Sequence, residues 1–197
     1  FFFASSSSVY GDNKKLPLSE DLKELKPLSP YAESKLENEN FIYENKSSTN
    51  MIGLRLFNMY GDKIEGNSSN YSAVIPKWIS NIKKNKLCQI YGDGKSLRDF
   101  CHIDDLCDFF LLLIKNNKKN GVYNFCSSRP CSIENLFYKI TKIFNNLGYE
   151  IKYPEPDYIE EIKGDIKYSY GCNNLLKKIF NFQTKITLDM GLRKIIK

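Results

Sequence analysis

The sequence predicts an α/β protein organised on a parallel sheet, and three features carry that prediction. An apolar start, Phe1-Phe2-Phe3-Ala4, runs into a Ser-rich turn; a helix signal follows at Ser29-Pro30; a second apolar run, Met51 to Phe57, comes next. Strand, helix, strand is the unit of a parallel sheet, because parallel neighbours need a crossover long enough to hold a helix, and the right-handed crossover packs back onto the sheet. The 197 residues, 42% hydrophobic and 14% aromatic, suffice for one sizeable core, hence one domain or one and a half.

The elements follow in order. Asp12 to Pro27 is polar and broken by Pro17 and Pro27, so it reads as loop. Ser29 as N-cap and Pro30 at the first helical position, where a missing N–H costs nothing, open a helix that runs to about Lys46. The strand from Met51 ends at Asn58, and Gly61 to Asn70 is a polar loop. Ala73 to Lys84 sets Ile75, Trp78, Ile79 and Ile82 on one helical stripe. Two short strands, Cys88 to Tyr91 and Leu97 to Ile103, are joined by Gly92-Asp93-Gly94. Asp104 or Asp105 is expected to cap an apolar helix reaching Asn116, Gly121 to Cys126 is a strand, and Ser132 caps a helix to Leu147. The Pro-punctuated stretch Pro154 to Gly164 precedes two short helices near Asn173 to Phe180 and Leu188 to Ile196.

Composition excludes several classes. The longest apolar run, Phe109 to Ile114, has six residues, whereas a membrane-crossing helix needs roughly 18 or more. The net charge of +6 comes from 29 basic residues, only four of them Arg and none in a block of five, so a nucleic-acid partner is not expected. Six cysteines form no Cys-x-x-Cys pair and the single His102 cannot complete a usual zinc set, which predicts a reduced, cytoplasmic protein without a metal. The first residues carry no basic segment or cleavage pattern of a signal peptide, and the chain reads as beginning inside a strand of a larger fold.

One constellation carries chemistry. Tyr31 and Lys35, four apart on one helix, project from the same face. A phenol beside an ammonium is a candidate general base, since one cation at 4 Å favours the adjacent anion by about 4 kcal/mol at an effective dielectric near 20. Ser6 precedes Tyr31 by 25 residues and lies where the first strand should end, and ligands of open α/β sheets gather beyond the carboxyl ends of strands. A hydroxyl there can share the proton that Tyr31 moves.

With these residues in view, the chain resembles the extended short-chain dehydrogenase/reductases, the nucleotide-sugar epimerases and dehydratases. The resemblance rests on four segments in the family's order: Ala4-Ser5-Ser6-Ser7-Ser8-Val9-Tyr10-Gly11-Asp12, Ser29-Pro30-Tyr31-Ala32-Glu33-Ser34-Lys35, Gly53-Leu54-Arg55-Leu56-Phe57-Asn58-Met59-Tyr60-Gly61, and Gly92-Asp93-Gly94-Lys95-Ser96-Leu97-Arg98-Asp99-Phe100. It implies the C-terminal part of a Rossmann doubly wound parallel sheet (residues 1–60) and a smaller α/β sugar-nucleotide-binding domain (61–197), from which the segment near 97–126 returns to the first. It implies NAD as cofactor, with Tyr31 taking the proton of a sugar 4-hydroxyl, Ser6 assisting, Lys35 bridging the cofactor ribose hydroxyls, and Ser5 and Leu56 on the cofactor side. Ser7 and Ser8 would line the sugar pocket, and Asn58 and Arg98 match diphosphate-binding positions, where the planar fork of arginine suits phosphate. A homodimer through the helix that bears Tyr31 is also implied.

Within that family the dehydratases place an Asp-Glu pair, and the glucuronate decarboxylases a Glu, where this chain has Ser7 and Ser8, so a simple 4-epimerisation is expected. Ala73-Val74-Ile75-Pro76-Lys77-Trp78 with Arg98-Asp99-Phe100-Cys101 looks most like the UDP-N-acetylglucosamine 4-epimerases, in which this helix holds uracil and diphosphate. Gly164-Asp165 resembles the end of the family's Arg-x-Gly-Asp, and Ser169 falls where a small residue makes room for an N-acetyl group. Ile162 stands where the family has Arg, a feature shared with the UDP-glucuronate 4-epimerases, and no Gly-x-x-Gly-x-x-Gly phosphate-binding turn occurs in the chain.

Overall fold

The computed structural model describes residues 1–44, 50–62, 74–116 and 120–197. In chain order they form β1 (Phe2–Ser6), a 3-10 turn (Ser7–Tyr10), α1 (Pro30–Glu44), β2 (Ile52–Leu56), β3 (Asn58–Tyr60), α2 (Val74–Lys83), β4 (Gln89–Tyr91), β5 (Leu97–His102), α3 (Ile103–Asn116), β6 (Gly121–Phe125), β7 (Pro130–Ser132), α4 (Ile133–Asn146), β8 (Asp157–Ile159), β9 (Tyr168–Ser169), α5 (Asn174–Phe180) and α6 (Leu188–Ile195). The strand, helix, strand unit is present: β1 and β2 are parallel, and β6 adds to β2 in parallel, giving the order β1-β2-β6.

Alternation along these strands sorts the side chains onto two covered faces. Ile52, Leu54, Tyr123 and Phe125 point into a core closed by Phe109 and Leu113 of α3 and by Leu176 and Phe180 of α5. On the opposite face Ile42 of α1 packs with Met51, Val122 and Phe3. Gly53 permits that approach, because a Cβ there would stand 3.1 Å from both the Ile42 and the Val122 side chains.

A second core joins Trp78 and Ile75 of α2 to Phe137, Ile140 and Phe144 of α4 and Leu192 of α6. β5 runs between the two cores: Phe100 faces the second and Cys101 the first. It pairs with β3 and β9 in parallel and with β7 antiparallel.

Several local expectations change in three dimensions. β4 and β5 are joined by Gly92-Asp93-Gly94 yet do not pair with each other; β4 pairs with β8, a strand inside the Pro-punctuated stretch, and Gly92 and Gly94, both with positive φ, redirect the chain. Neither Asp104 nor Asp105 caps α3. The His102 Nδ1 accepts from the Asp104 N–H at 3.1 Å, while the Asp105 carboxylate receives the Lys185 and Ile186 N–H groups at 2.9 and 3.1 Å. Strands β3, β7 and β9 have two or three residues each, too short to show a period in sequence. Most of the expected polar loop Gly61 to Asn70, and Ala73, lie outside the described residues. Among the described residues, no helix is long and apolar enough to cross a membrane.

Candidate active site

The site is built on α1. The Ser29 hydroxyl accepts from the Ala32 N–H at 3.2 Å and Pro30 is the first helical residue, as the Ser-Pro signal predicts. Tyr31, Lys35 and Glu39 then recur every four residues on one face. That face grades from solvent to interior: Tyr31 is exposed, Lys35 lies across the end of β1, and Glu39 is fully buried. The Lys35 Nζ donates to the Ala4 carbonyl at 2.8 Å, 5.1 Å from the Phe3 ring centroid and 5.4 Å from that of Tyr31.

Ser6 closes β1 and caps the 3-10 turn behind it. Its Oγ accepts from the Ser8 N–H at 3.2 Å and from the Ser8 hydroxyl at 2.9 Å. A hydroxyl offers one donor and two lone pairs. Held by Ser8 in this way, the Ser6 hydroxyl lies at the carboxyl end of β1. Gly11 ends the turn at φ 57°, where a Cβ would run into the Lys26 carbonyl, so the chain leaves the turn by a path open to glycine. Leu56, half-buried, ends β2 beside Ser6 in register.

Ser5 behaves differently from Ser6. It is buried, and its hydroxyl donates to Glu39 rather than facing the strand ends. A cofactor contact from Ser5 is therefore confined to its backbone.

The second part of the site lies on β5 and β9. Arg98 meets Asp165 through one nitrogen, Nη2 at 3.0 and 3.1 Å from the two carboxylate oxygens, while its Nη1 donates to the Leu97 and Lys167 carbonyls. Ser169 is the register partner of Arg98, and Tyr168 that of Leu97. Asn58 donates from Nδ2 to the Asp99 carbonyl at 3.3 Å, tying β3 to β5. Val74 is half-buried at the start of α2. Trp78 requires a correction: it is 1% exposed and packs edge-on to Phe137 at 5.7 Å, a core residue whose ring offers no surface to a ligand, because it sits on the stripe that α2 turns toward α4.

Two features of the site escape the motif reading. Asp99, fully buried beside Arg98, accepts from the Ser127 N–H and hydroxyl, the Ser128 N–H and the Gly171 N–H; burial pushes its carboxyl up against these bonds, which favour the carboxylate. The second is a polar row under β1 and β2, built on Arg55 and Glu39. A lone Arg inside the apolar run Ile52-Gly53-Leu54-Arg55-Leu56 was the available signal, since a charge in a buried strand needs a partner.

Comparison with known proteins places these residues in a family. The model of the NAD dependent epimerase/dehydratase family matches residues 1–126. Among solved structures, the UDP-N-acetylglucosamine 4-epimerase of Methanobrevibacter ruminantium, in complex with UDP-N-acetylmuramic acid, is similar at 32% identity and a TM-score of 0.87, over 99% of this chain and 61% of that one. The UDP-glucose 4-epimerase of Thermotoga maritima, with UDP-glucose, is similar at 26% identity and a TM-score of 0.88, over 100% of this chain and 62% of that one. A UDP-glucuronate 4-epimerase of Thermodesulfobacterium geofontis is 28% identical over 98% of this chain and 57% of its own length. The chain thus spans little more than half the length of these relatives.

The residues present fit the nicotinamide end of NAD. An exposed phenol, an ammonium beside it that bonds the Ala4 carbonyl of β1, and the Ser6 hydroxyl at the carboxyl end of that strand are the donor groups that a ribose and a reacting ring need. Together with the family match over residues 1–126, this arrangement establishes that the chain belongs to the NAD-dependent epimerase/dehydratase family.

Proposed function

We propose that the whole protein of which these residues form part is a UDP-hexose 4-epimerase that interconverts UDP-N-acetylglucosamine and UDP-N-acetylgalactosamine through a 4-keto intermediate. The observation that carries the chemistry is the Tyr31/Lys35 pair on one face of α1, with Lys35 bonded to the Ala4 carbonyl two residues before Ser6 at the end of β1. Tyr31 as phenolate takes the proton of the sugar 4-hydroxyl, the Lys35 cation stabilises the phenolate, and Ser6 donates to the same oxygen as it becomes a carbonyl. NAD, when bound, supplies the acceptor and then the donor of the C4 hydride. Return of the proton from Tyr31 after the ketone has turned over completes the inversion. Ser7 and Ser8 bring no carboxyl group, so no acid or base for dehydration stands beside the sugar.

The substrate assignment is supported by the β9 register. Ser169, not a tyrosine, pairs with Arg98, so the residue flanking the proposed diphosphate ligand is small. Arg98 holds the diphosphate after exchanging Asp165 for phosphate oxygens, with Asn58, Asp165 and Val74 at the start of α2 around the nucleotide. UDP-glucuronate is the second reading, favoured by one observation: Ile162, 52% exposed, offers no charge where the family has Arg. A cytoplasmic homodimer through α1, with Tyr43 exposed on it, belongs to the same proposal.

Proton NMR of the full-length protein with NAD and UDP-N-acetylglucosamine, UDP-glucose or UDP-glucuronate in parallel tests this. Appearance of the UDP-N-acetylgalactosamine anomeric signal is the expected result, and Tyr31→Phe lowers its rate by about 10²–10⁴-fold. Turnover of UDP-glucuronate alone replaces the substrate, and tight UDP-sugar binding without turnover replaces the enzyme by a binding module. The isolated 197 residues, which contain no Gly-rich turn, are expected to bind NAD weakly and to turn nothing over.

A further inference from the structure

The three strands of the parallel sheet present one polar residue each in a single row on the face toward α1. Ser5 of β1 is in register with Arg55 of β2, and Arg55 with Asn124 of β6. Each is at most 3% exposed. Apolar side chains fill the remainder of that face, so a polar row there has a specific partner or is costly. The partner is Glu39. Its carboxylate receives the Ser5 hydroxyl and three contacts from Arg55, Nη2 at 2.7 Å and Nε at 3.0 and 3.2 Å. On the other side Arg55 donates from Nη1 to the Tyr10 hydroxyl at 2.8 Å, which donates to Asn124 Oδ1 at 2.7 Å.

The contacts of Glu39 coincide with the two elements whose relative placement the chemistry requires. Glu39 stands one turn beyond Lys35 on the helix of Tyr31, and Ser5 is the residue before Ser6. Lys35 itself rests on the carbonyl of Ala4, the residue before Ser5. The phenol, the ammonium and the serine hydroxyl are thus referenced to one buried carboxylate. We propose that Glu39 is a positioning residue: through Ser5 it fixes the end of β1 against the Tyr31/Lys35 face of α1, and so sets the distance over which the sugar proton is shared. Glu39 touches neither cofactor nor substrate, and a sideways slip of about 1 Å between the two elements suffices to lose much of the rate. The inference rests on the epimerase reading.

The test compares variants of the full-length protein in NAD-dependent epimerisation. Ser5→Ala deletes the link between Glu39 and β1, Glu39→Gln removes the charge at nearly constant shape, and Tyr10→Phe deletes a bond on the far side of Arg55. Positioning predicts that Ser5→Ala lowers kcat about tenfold, with the KM of the UDP-sugar and the affinity for NAD within about twofold of wild type, and that Tyr10→Phe lowers thermal stability while keeping kcat. Glu39→Gln, if it folds, lowers kcat further; Ser5→Ala carries the decision if it does not. Wild-type kcat in Ser5→Ala overturns the inference and leaves the epimerase reading standing. A tenfold loss of NAD affinity in Ser5→Ala also overturns it, by making Ser5 a cofactor ligand. Wild-type protein that turns over none of the UDP-sugars removes both.

Discussion

Two arginine–carboxylate pairs in this chain differ in geometry, Arg55 meeting Glu39 through two nitrogens and Arg98 meeting Asp165 through one, and in everything around it. Arg55 and Glu39 are 4% and 0% exposed, and each remaining polar atom nearby meets Ser5, Tyr10 or Asn124. Arg98 and Asp165 are 15% and 40% exposed, at the edge where β9 joins β5. Burial works against the charged form of Arg55, but the hydrogen bonds and charge of Glu39 together with Tyr10 more than offset it and hold the guanidinium charged; burial also pushes the Tyr10 phenol up, so it stays a neutral donor. In the buried pair no water or anion can replace the partner, so the geometry is permanent. In the exposed pair water and ions reach the carboxylate, so the partner is exchangeable, as the diphosphate role proposed for Arg98 requires.

The comparison breaks if the buried pair proves dispensable. Arg55→Ala leaves Glu39 charged and without its cation, and is expected to cost about 3–5 kcal/mol in urea-unfolding measurements. The double variant Arg55→Met/Glu39→Leu is expected to recover most of that stability while kcat stays low, separating packing from positioning. A single variant within about 0.5 kcal/mol of wild type would end the distinction between the two sites.

At the exposed pair the expected losses are in binding. Arg98→Lys keeps the charge and loses the fork, and should raise the KM for the UDP-sugar about tenfold while unfolding as wild type does. Equal KM values would return Arg98 to a surface role. Asp165→Asn should change stability by less than about 1 kcal/mol, as measured by denaturant melts at low and at high salt, because a half-exposed pair is largely screened.

Between these extremes lies His102, 4% exposed, edge-on to Tyr60 at 5.2 Å, with Nε2 buried and without a hydrogen-bond partner among the described residues. Burial lowers its pKa from the ordinary 6.5, against the pull of Asp104, and Lys194 lowers it further. The folded state therefore binds the proton less well than the unfolded one, so this contribution to stability is complete above pH 6.5 and declines as pH falls below it. Thermal melts of wild type and His102→Asn at about pH 7.5 and 5.5 should show a steeper fall for wild type. Parallel slopes would mean that the ring gains a charge partner on protonation.

Much of this was legible in the chain itself. The Ser29-Pro30 start of α1, the Ser132 cap of α4 and the apolar stripe of α2 appear where their local chemistry places them, because caps and helical periodicity are properties of neighbouring residues. The four motif segments located Ser6, Tyr31, Lys35 and Arg98. Trp78 belongs to the motif compared with a nucleotide-holding helix yet lies in the core, since its stripe alone does not reveal which neighbour covers it. The partner of β4 escaped as well: Cys88 to Tyr91 reads as a strand, but its pairing with β8 depends on a segment some 70 residues away with little strand character of its own.

The sequence by itself determined the parallel sheet and the family and singled out the side chains proposed to carry the chemistry, because periodicity, capping and motif spacing are encoded over a few turns of chain. Only the tertiary structure decided that Ser5 turns inward to Glu39 while Ser6 pairs with Ser8 at the strand end, that Asp165 meets Arg98, and that Glu39 gathers Ser5 and Arg55 beneath the Tyr31/Lys35 face of α1. Those outcomes depend on strand register and helix approach, which bring residues 5, 39, 55 and 124 together through hydrogen bonds that exist only after the sheet has formed.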